Sequence, residues 1–132
     1  MSKYFNLKEL TRSATAINHG INNEPSKEVI SNLEHLMTLL DKVRELWGKP
    51  LIVNSGYRCV ELNKRVGGAI NSNHLKGEAA DITTGNKEGN LRLFELIKNS
   101  DLIWDELIDE KKGKWIHIAY RKANNRQKVL RL

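Results

Sequence analysis

The run Ser72-Asn73-His74-Leu75-Lys76-Gly77-Glu78-Ala79-Ala80-Asp81 passes from a polar, glycine-bearing loop into a small-residue strand. His74 sits in the loop and Asp81 in the strand. Ala79, Ala80 and Ile82 surround Asp81 with apolar neighbours, which suits a buried or half-buried strand. A lone carboxylate there is costly unless something compensates its charge, and a metal ion is one such partner. Downstream, Trp115-Ile116-His117-Ile118-Ala119-Tyr120 places a second histidine on an alternating strand. Trp115 and Ala119 share its face, and Ile116 and Ile118 point the other way.

Two histidines and one carboxylate form a hydrolytic zinc set, with a fourth position open to water. The ion acidifies that water and polarises the carbonyl to be attacked. Six residues separate His74 from Asp81, which is not a helical spacing. On spacing alone, each histidine also reads as a structural or surface residue.

Around this stretch, helices and strands mix without strict alternation. Asn6 and Glu9 form the two halves of a capping box for a short helix over Leu7–Arg12. The turn Asn22-Asn23-Glu24-Pro25-Ser26 opens the main helix. Its apolar positions Val29, Ile30, Leu33, Leu36, Met37, Leu40, Val43, Leu46 and Trp47 recur mostly at three- and four-residue steps. Gly48 and Pro50 end it. Leu51–Asn54 reads as a strand, Ser55–Arg58 as a turn, and Cys59–Val66 as a short helix stopped by Gly67-Gly68. Ala69–Gly77 is a polar loop and Ala79–Thr83 a strand. Asn90–Asn99 is a second amphipathic helix. Leu102–Asp109 and Trp115–Tyr120 flank Lys111-Lys112-Gly113-Lys114 as a β-hairpin. Val129–Leu132 reads as an edge strand. The pattern predicts an α+β fold: a small, mainly antiparallel sheet backed by helices.

The chain has 132 residues, which predicts a single domain spanning 1–132. Hydrophobic residues make up 39% and charged residues 29%, a globular rather than disordered composition. No apolar run reaches the length of a membrane span, so no membrane insertion is expected. Lys and Arg number 22 against 16 Asp and Glu, a net charge of +6. That excess fits an anionic polymer, nucleic acid included, but no aromatic–basic sheet motif or recognition helix accompanies it. The single cysteine, Cys59, excludes an internal disulfide and a cysteine-based zinc finger.

An ordered series links these elements: Ser55-Gly56-Tyr57-Arg58, Leu62-Asn63, Val66-Gly67-Gly68, Ser72-x-His74-x-x-Gly77-x-Ala79-x-Asp81 and Trp115-x-His117. It resembles the zinc D-Ala-D-Ala carboxypeptidase family, most closely its small single-domain branch. That branch includes phage endolysins that cut peptidoglycan stem peptides. The resemblance begins near Tyr4-Phe5-x-Leu7-x-Glu9-Leu10 and reaches the tail. It implies the fold shared with the hedgehog signalling domain and one zinc ion held by His74, Asp81 and His117. Arg58 would handle substrate as a planar cation, suited to a carboxylate or a developing oxyanion. Ser72 would line the site and bind substrate or orient the loop, unless it serves as a turn cap. Tyr57 and Asn63 read as structural supports.

Many relatives carry a Glu three residues before the last histidine, or a His two residues before it. Here those positions are Lys114 and Trp115. In the small branch and the hedgehog domain, the resemblance places a Glu at the end of the preceding strand. A two-residue turn at Lys112-Gly113 pairs Glu110 with Trp115 and Ile108 with His117, bringing Glu110 to the histidine's face. One residue more or less in the loop would substitute Asp109. Glu110 is the expected general base.

The implied function is zinc-dependent hydrolysis of a peptidoglycan stem-peptide amide, as a D,D-carboxypeptidase or an endolysin-type endopeptidase. The alternative is a zinc-bearing binding module of the same fold that has lost hydrolysis. The expected partner is the stem peptide, with no nucleic acid, and the expected state is a monomer. The N-terminus Met1–Lys8 shows no apolar signal core. Synthesis in the cytoplasm with action at the cell wall, by phage or prophage-like release, is the corresponding expectation. His19 and His35 read as surface residues, Cys59 as a small buried thiol, and Trp47 and Trp104 as core.

Overall fold

The computed structural model describes residues 2–132. Its elements run α1 (Leu7–Thr11), α2 (Ala14–Asn18), α3 (Lys27–Trp47), β1 (Ile52–Ser55), α4 (Val60–Arg65), β2 (Ala79–Thr83), α5 (Lys87–Lys98), β3 (Glu106–Glu110), β4 (Trp115–Ala119) and β5 (Lys128–Arg131). A single 3-10 turn covers Asn73–Lys76. The strands form one five-stranded sheet in the order β1-β2-β4-β3-β5. Every pairing is antiparallel except β3 with β5. The α+β architecture with a mainly antiparallel sheet is therefore as the sequence predicts.

Period-two alternation divides the sheet into two chemically different faces. Ala80, Ile82, Leu107, Ile116 and Ile118 join the core with Leu33, Leu36, Leu40 and Val43 of α3 and Leu93, Phe94 and Ile97 of α5. The opposite set contains Asp81, Glu106, Ile108, Glu110, Trp115 and His117. Register aligns them: Asp81 pairs with His117, Ile108 with His117, and Glu110 with Trp115. Burying one face thus fixes the register of the polar face, because a one-residue slip would exchange the two.

The main helix begins where Ser26 accepts a hydrogen bond from Val29 N and ends at Gly48, whose φ is 77°. Several details differ from the sequence reading. The second amphipathic helix starts at Lys87, not Asn90, because Asn86 caps it by accepting from Gly89 N at 2.7 Å. Its first turn is polar, so apolar periodicity starts too late to mark it. α2 is an additional short helix, capped by Ser13 accepting from Ala16 N at 3.1 Å. The hairpin has the expected pairing but a longer turn. Residues 111–114 close it, with Lys111, Lys112 and Gly113 all at positive φ (50°, 58° and 88°). Two anchors hold that turn: Gly113 N donates to Asp109 Oδ1 at 2.7 Å, and Asn90 Nδ2 donates to Gly113 O at 2.9 Å.

Trp104 is buried, but Trp47 only flanks the core. His19 and His35 are exposed. Among the described residues, no helix is long and apolar enough to cross a membrane.

Candidate metal centre

The first donor is set by backbone packing around Gly56. A Cβ at this position would overlap the Leu10 carbonyl, so only glycine lets β1 run so close to α1. Tyr57 N donates to that same Leu10 carbonyl at 2.7 Å. The approach leaves the Gly56 carbonyl 2.7 Å from His74 Nδ1. A carbonyl only accepts, so Nδ1 carries the proton and the neutral ring presents its lone pair at Nε2.

The His74 backbone is fixed as firmly. Ser72 Oγ accepts from His74 N at 3.2 Å and caps the 3-10 turn. Arg58 N donates to the His74 carbonyl at 3.1 Å. Gly77 ends the turn at φ 72°, against Val29 and Leu33 of α3.

Asp81 and His117 face each other across the β2–β4 register. His74 Nε2 lies 3.4 Å from Asp81 Oδ1, and His117 Nδ1 lies 3.1 Å from the same oxygen. The imidazole rings meet edge to face, with centroids 5.2 Å apart. One donor atom from each of the three residues falls within 4.8 Å of the others. His74 is 97% buried on its side chain, and Asp81 and His117 nearly as deep (3%, 16% and 12% exposed).

The chemistry of this donor set fits a divalent cation. With Nδ1 engaged by Gly56, the His74 lone pair points at a carboxylate oxygen, acceptor against acceptor. Only a positive centre between them makes that arrangement favourable. Nitrogen and carboxylate donors suit zinc, with room for a fourth ligand. Without metal, protons carry the balance. Burial would push Asp81 up, but the two imidazoles outweigh it and hold the carboxyl far below its usual range. Burial would lower His117, but Asp81 and Glu106 outweigh it and raise the imidazole to about 9.

The expected base lies on the same sheet face. Glu110 ends β3 opposite Trp115, two residues along β4 from His117. Burial raises its pKa; His117 draws it down and Asp81 pushes it up. A carboxylate with raised affinity for a proton suits general-base work. Asp109 points to the other face, where Gly113 N and Arg131 Nη1 (3.2 Å) satisfy it.

Arg58 is half-buried beside the centre. Burial lowers its pKa and Asp81 opposes the shift; a guanidinium stays charged regardless. Its Nη2 approaches Ser72 Oγ at 3.4 Å, while Nε is buried with no partner. That nitrogen is an unsatisfied donor beneath the surface beside the centre. Ser72 caps the turn and contacts Arg58 with the same oxygen. Asn63 is buried and donates to Ala69 O at 2.8 Å, the supporting role expected of it. Cys59 is half-buried, and its Sγ caps α4 by accepting from Leu62 N at 3.4 Å.

One acidic residue escaped the sequence reading. Glu106 Oε1 approaches His117 Nε2 at 3.6 Å, on the side of the ring away from Asp81. Period-two alternation from Glu110 back along β3 was the signal that could have found it.

Comparison with known proteins agrees with this geometry. A stretch of 52 residues is 46% identical to the zinc D-Ala-D-Ala carboxypeptidase of Streptomyces albus G, covering 39% of this chain and 20% of that enzyme. The match thus spans about a fifth of the relative's length. The sequence model of the peptidase M15 family matches residues 3–119, from before α1 to the end of β4, a span that includes His74, Asp81 and His117. The chain belongs to the peptidase M15 family.

Proposed function

We propose that this chain is a zinc-dependent peptidase that hydrolyses an amide bond in the stem peptides of peptidoglycan. The observation that carries the reading is the convergence of His74, Asp81 and His117 with Glu110 on the same sheet face. The relative's zinc D-Ala-D-Ala carboxypeptidase activity supports the substrate class.

His74 through Nε2, Asp81 through its carboxylate and His117 through Nδ1 would hold the metal. Zinc bound there supplies a Lewis acid that acidifies water and polarises the scissile carbonyl. Glu110 accepts the proton of the attacking water as the new C–O bond forms. It then returns that proton to the amine as the C–N bond breaks. Arg58 offers the positive charge of its guanidinium to the developing oxyanion or to a substrate carboxylate. Ser72 holds Arg58 and His74 in place. Positive charge on the chain (+6) favours encounter with an anionic wall polymer. Both a D,D-carboxypeptidase and an endolysin-type endopeptidase use this chemistry, and action at the cell wall follows from either.

Digestion of purified peptidoglycan, with products read by mass spectrometry, tests the proposal. Zinc-loaded protein should release fragments with a new free amine and carboxylate at one stem-peptide position, which also names the bond. Full zinc occupancy with no fragment from any muropeptide would favour the non-hydrolytic module instead, a reading motivated by Lys114 and Trp115 at two usual acid–base positions.

A further inference from the structure

Among the described residues, Glu106 is the one acidic side chain that reaches the far edge of the His117 ring. It stands on the polar face of β3, paired with Ala119, so it flanks His117 diagonally across the ladder. Its Oε1 lies 3.6 Å from His117 Nε2 and accepts from Asn73 Nδ2 at 3.1 Å. Its Oε2 lies 3.5 Å from Arg126 Nη2. Arg126 is itself gripped by Asp105, through Nε at 2.9 Å and Nη2 at 2.8 Å. Three separate segments therefore meet this carboxylate: the His74 turn through Asn73, the loop before β5 through Arg126, and β4 through His117. Nothing in the ladder requires a charge here, and its exposure is low at 19%.

We propose that Glu106 is a positioning residue for the metal centre: its Oε1, 3.6 Å from His117 Nε2 and just beyond hydrogen-bond length, draws the Nε2–H toward itself and so directs Nδ1 toward Asp81. The two histidines are then oriented by different means. A backbone carbonyl fixes His74 at Nδ1, and a carboxylate fixes His117 at Nε2. Such outer partners lock the ring and increase the basicity of the donor nitrogen. Asn73 joins the two arrangements, since it neighbours His74 in sequence and touches Glu106. Glu106 is not itself placed to act on substrate, because the imidazole stands between it and Asp81. The proposal rests on the reading of His117 as a metal donor.

The test compares Glu106→Ala and Glu106→Gln with wild type. Zinc affinity is measured by competition with a chromophoric chelator at fixed pH. Nuclear magnetic resonance follows the His117 Nε2–H in the zinc-loaded protein. Glu106→Ala should bind zinc about 10–100-fold more weakly, the usual effect of losing an outer partner. Its Nε2–H signal should broaden through fast exchange. Glu106→Gln, whose amide oxygen still accepts, should recover most of the affinity and keep a protected signal. Equal zinc affinity in Glu106→Ala and wild type, with the signal unchanged, would overturn the proposal. So would equal loss in both variants, which would make the charge and not the hydrogen bond the cause. If Glu106→Ala fails to fold, the Nε2–H signal in Glu106→Gln decides: a protected signal supports the proposal and an exchange-broadened one refutes it. Wild-type protein that takes up no zinc would instead remove the metal reading itself, and this proposal with it.

Discussion

The carbonyl oxygen of Gly56 stands 2.7 Å from His74 Nδ1, although 17 residues lie between them in the chain. Two separate motifs are thereby one device. Ser55-Gly56-Tyr57-Arg58 supplies the acceptor that selects the His74 tautomer, and its arginine supplies the cation beside it. Gly56 itself is demanded by the Leu10 carbonyl. Gly56→Ala should therefore cost about 1–3 kcal/mol of stability, as overpacking does. It should also weaken zinc binding, because moving β1 moves the acceptor. Denaturant unfolding of the metal-free protein, together with chelator competition, checks both effects.

Glu110→Gln should lower kcat by about 10²–10⁴-fold, the usual contribution of a general base. Zinc stoichiometry and unfolding temperature should stay at wild-type values, since no metal donor or core residue changes. Normal cleavage by this variant would dismiss Glu110 as base while leaving the metal centre untouched. In wild type, burial raises the Glu110 pKa. Base function needs the deprotonated form, so the acid limb of the kcat/KM profile should lie above the ordinary carboxylate range. Glu110→Gln should lose that limb.

Asp109 should behave in the opposite way. Its carboxylate holds the hairpin turn through Gly113 N and pairs with Arg131 Nη1. Asp109→Ala should cost about 1–3 kcal/mol, from leaving partners of a buried polar group unsatisfied. Its loss of activity should follow the loss of folded protein, and kcat per folded, zinc-loaded molecule should change little. Thermal unfolding beside steady-state kinetics separates these two quantities.

His117 predicts how metal binding and stability respond to pH. Burial alone would lower its pKa, but Asp81 and Glu106 raise it from 6.5 to about 9 in the metal-free protein. Zinc must displace that proton, so affinity should fall by about tenfold per pH unit below 9. Calorimetry in buffers of different ionisation enthalpy should register a proton released near neutral pH. For the metal-free protein the sign reverses. A raised folded pKa contributes stability that is complete below 6.5 and lost as pH rises through about 9. Thermal scans should show the metal-free form weakening over that window while the zinc-loaded form does not.

The sequence made the two faces of the hairpin legible because alternation on β4 is strict. Ile116 and Ile118 must be buried, which leaves His117 and Trp115 to the other side. Pairing Glu110 with Trp115 depended on the turn, and the register came out the same for a different reason. Four residues close the turn, three of them at positive φ, stabilised by Asp109 and Asn90 from elsewhere in the chain. No local composition rule anticipates lysines in that conformation. Asn90 acts at long range, and the first turn of α5 is polar, so the periodicity of its apolar residues hid its true start. The three donors could be named only through the resemblance, since six residues of loop and strand between His74 and Asp81 have no fixed geometry. Glu106 stayed hidden because its partners Asn73, His117 and Arg126 come from three distant segments. The parallel edge strand β5 was legible as a strand but not in direction, which is set by Arg126 and Gln127 anchoring at Asp105 and Trp104.

Anomalous scattering at the zinc edge, from crystals of protein loaded with one equivalent of zinc, tests the metal centre most directly. The expected map holds a single strong peak bounded by His74 Nε2, the Asp81 carboxylate and His117 Nδ1, with Glu110 on the same side of the sheet. A peak elsewhere, or none between these three residues, would contradict it.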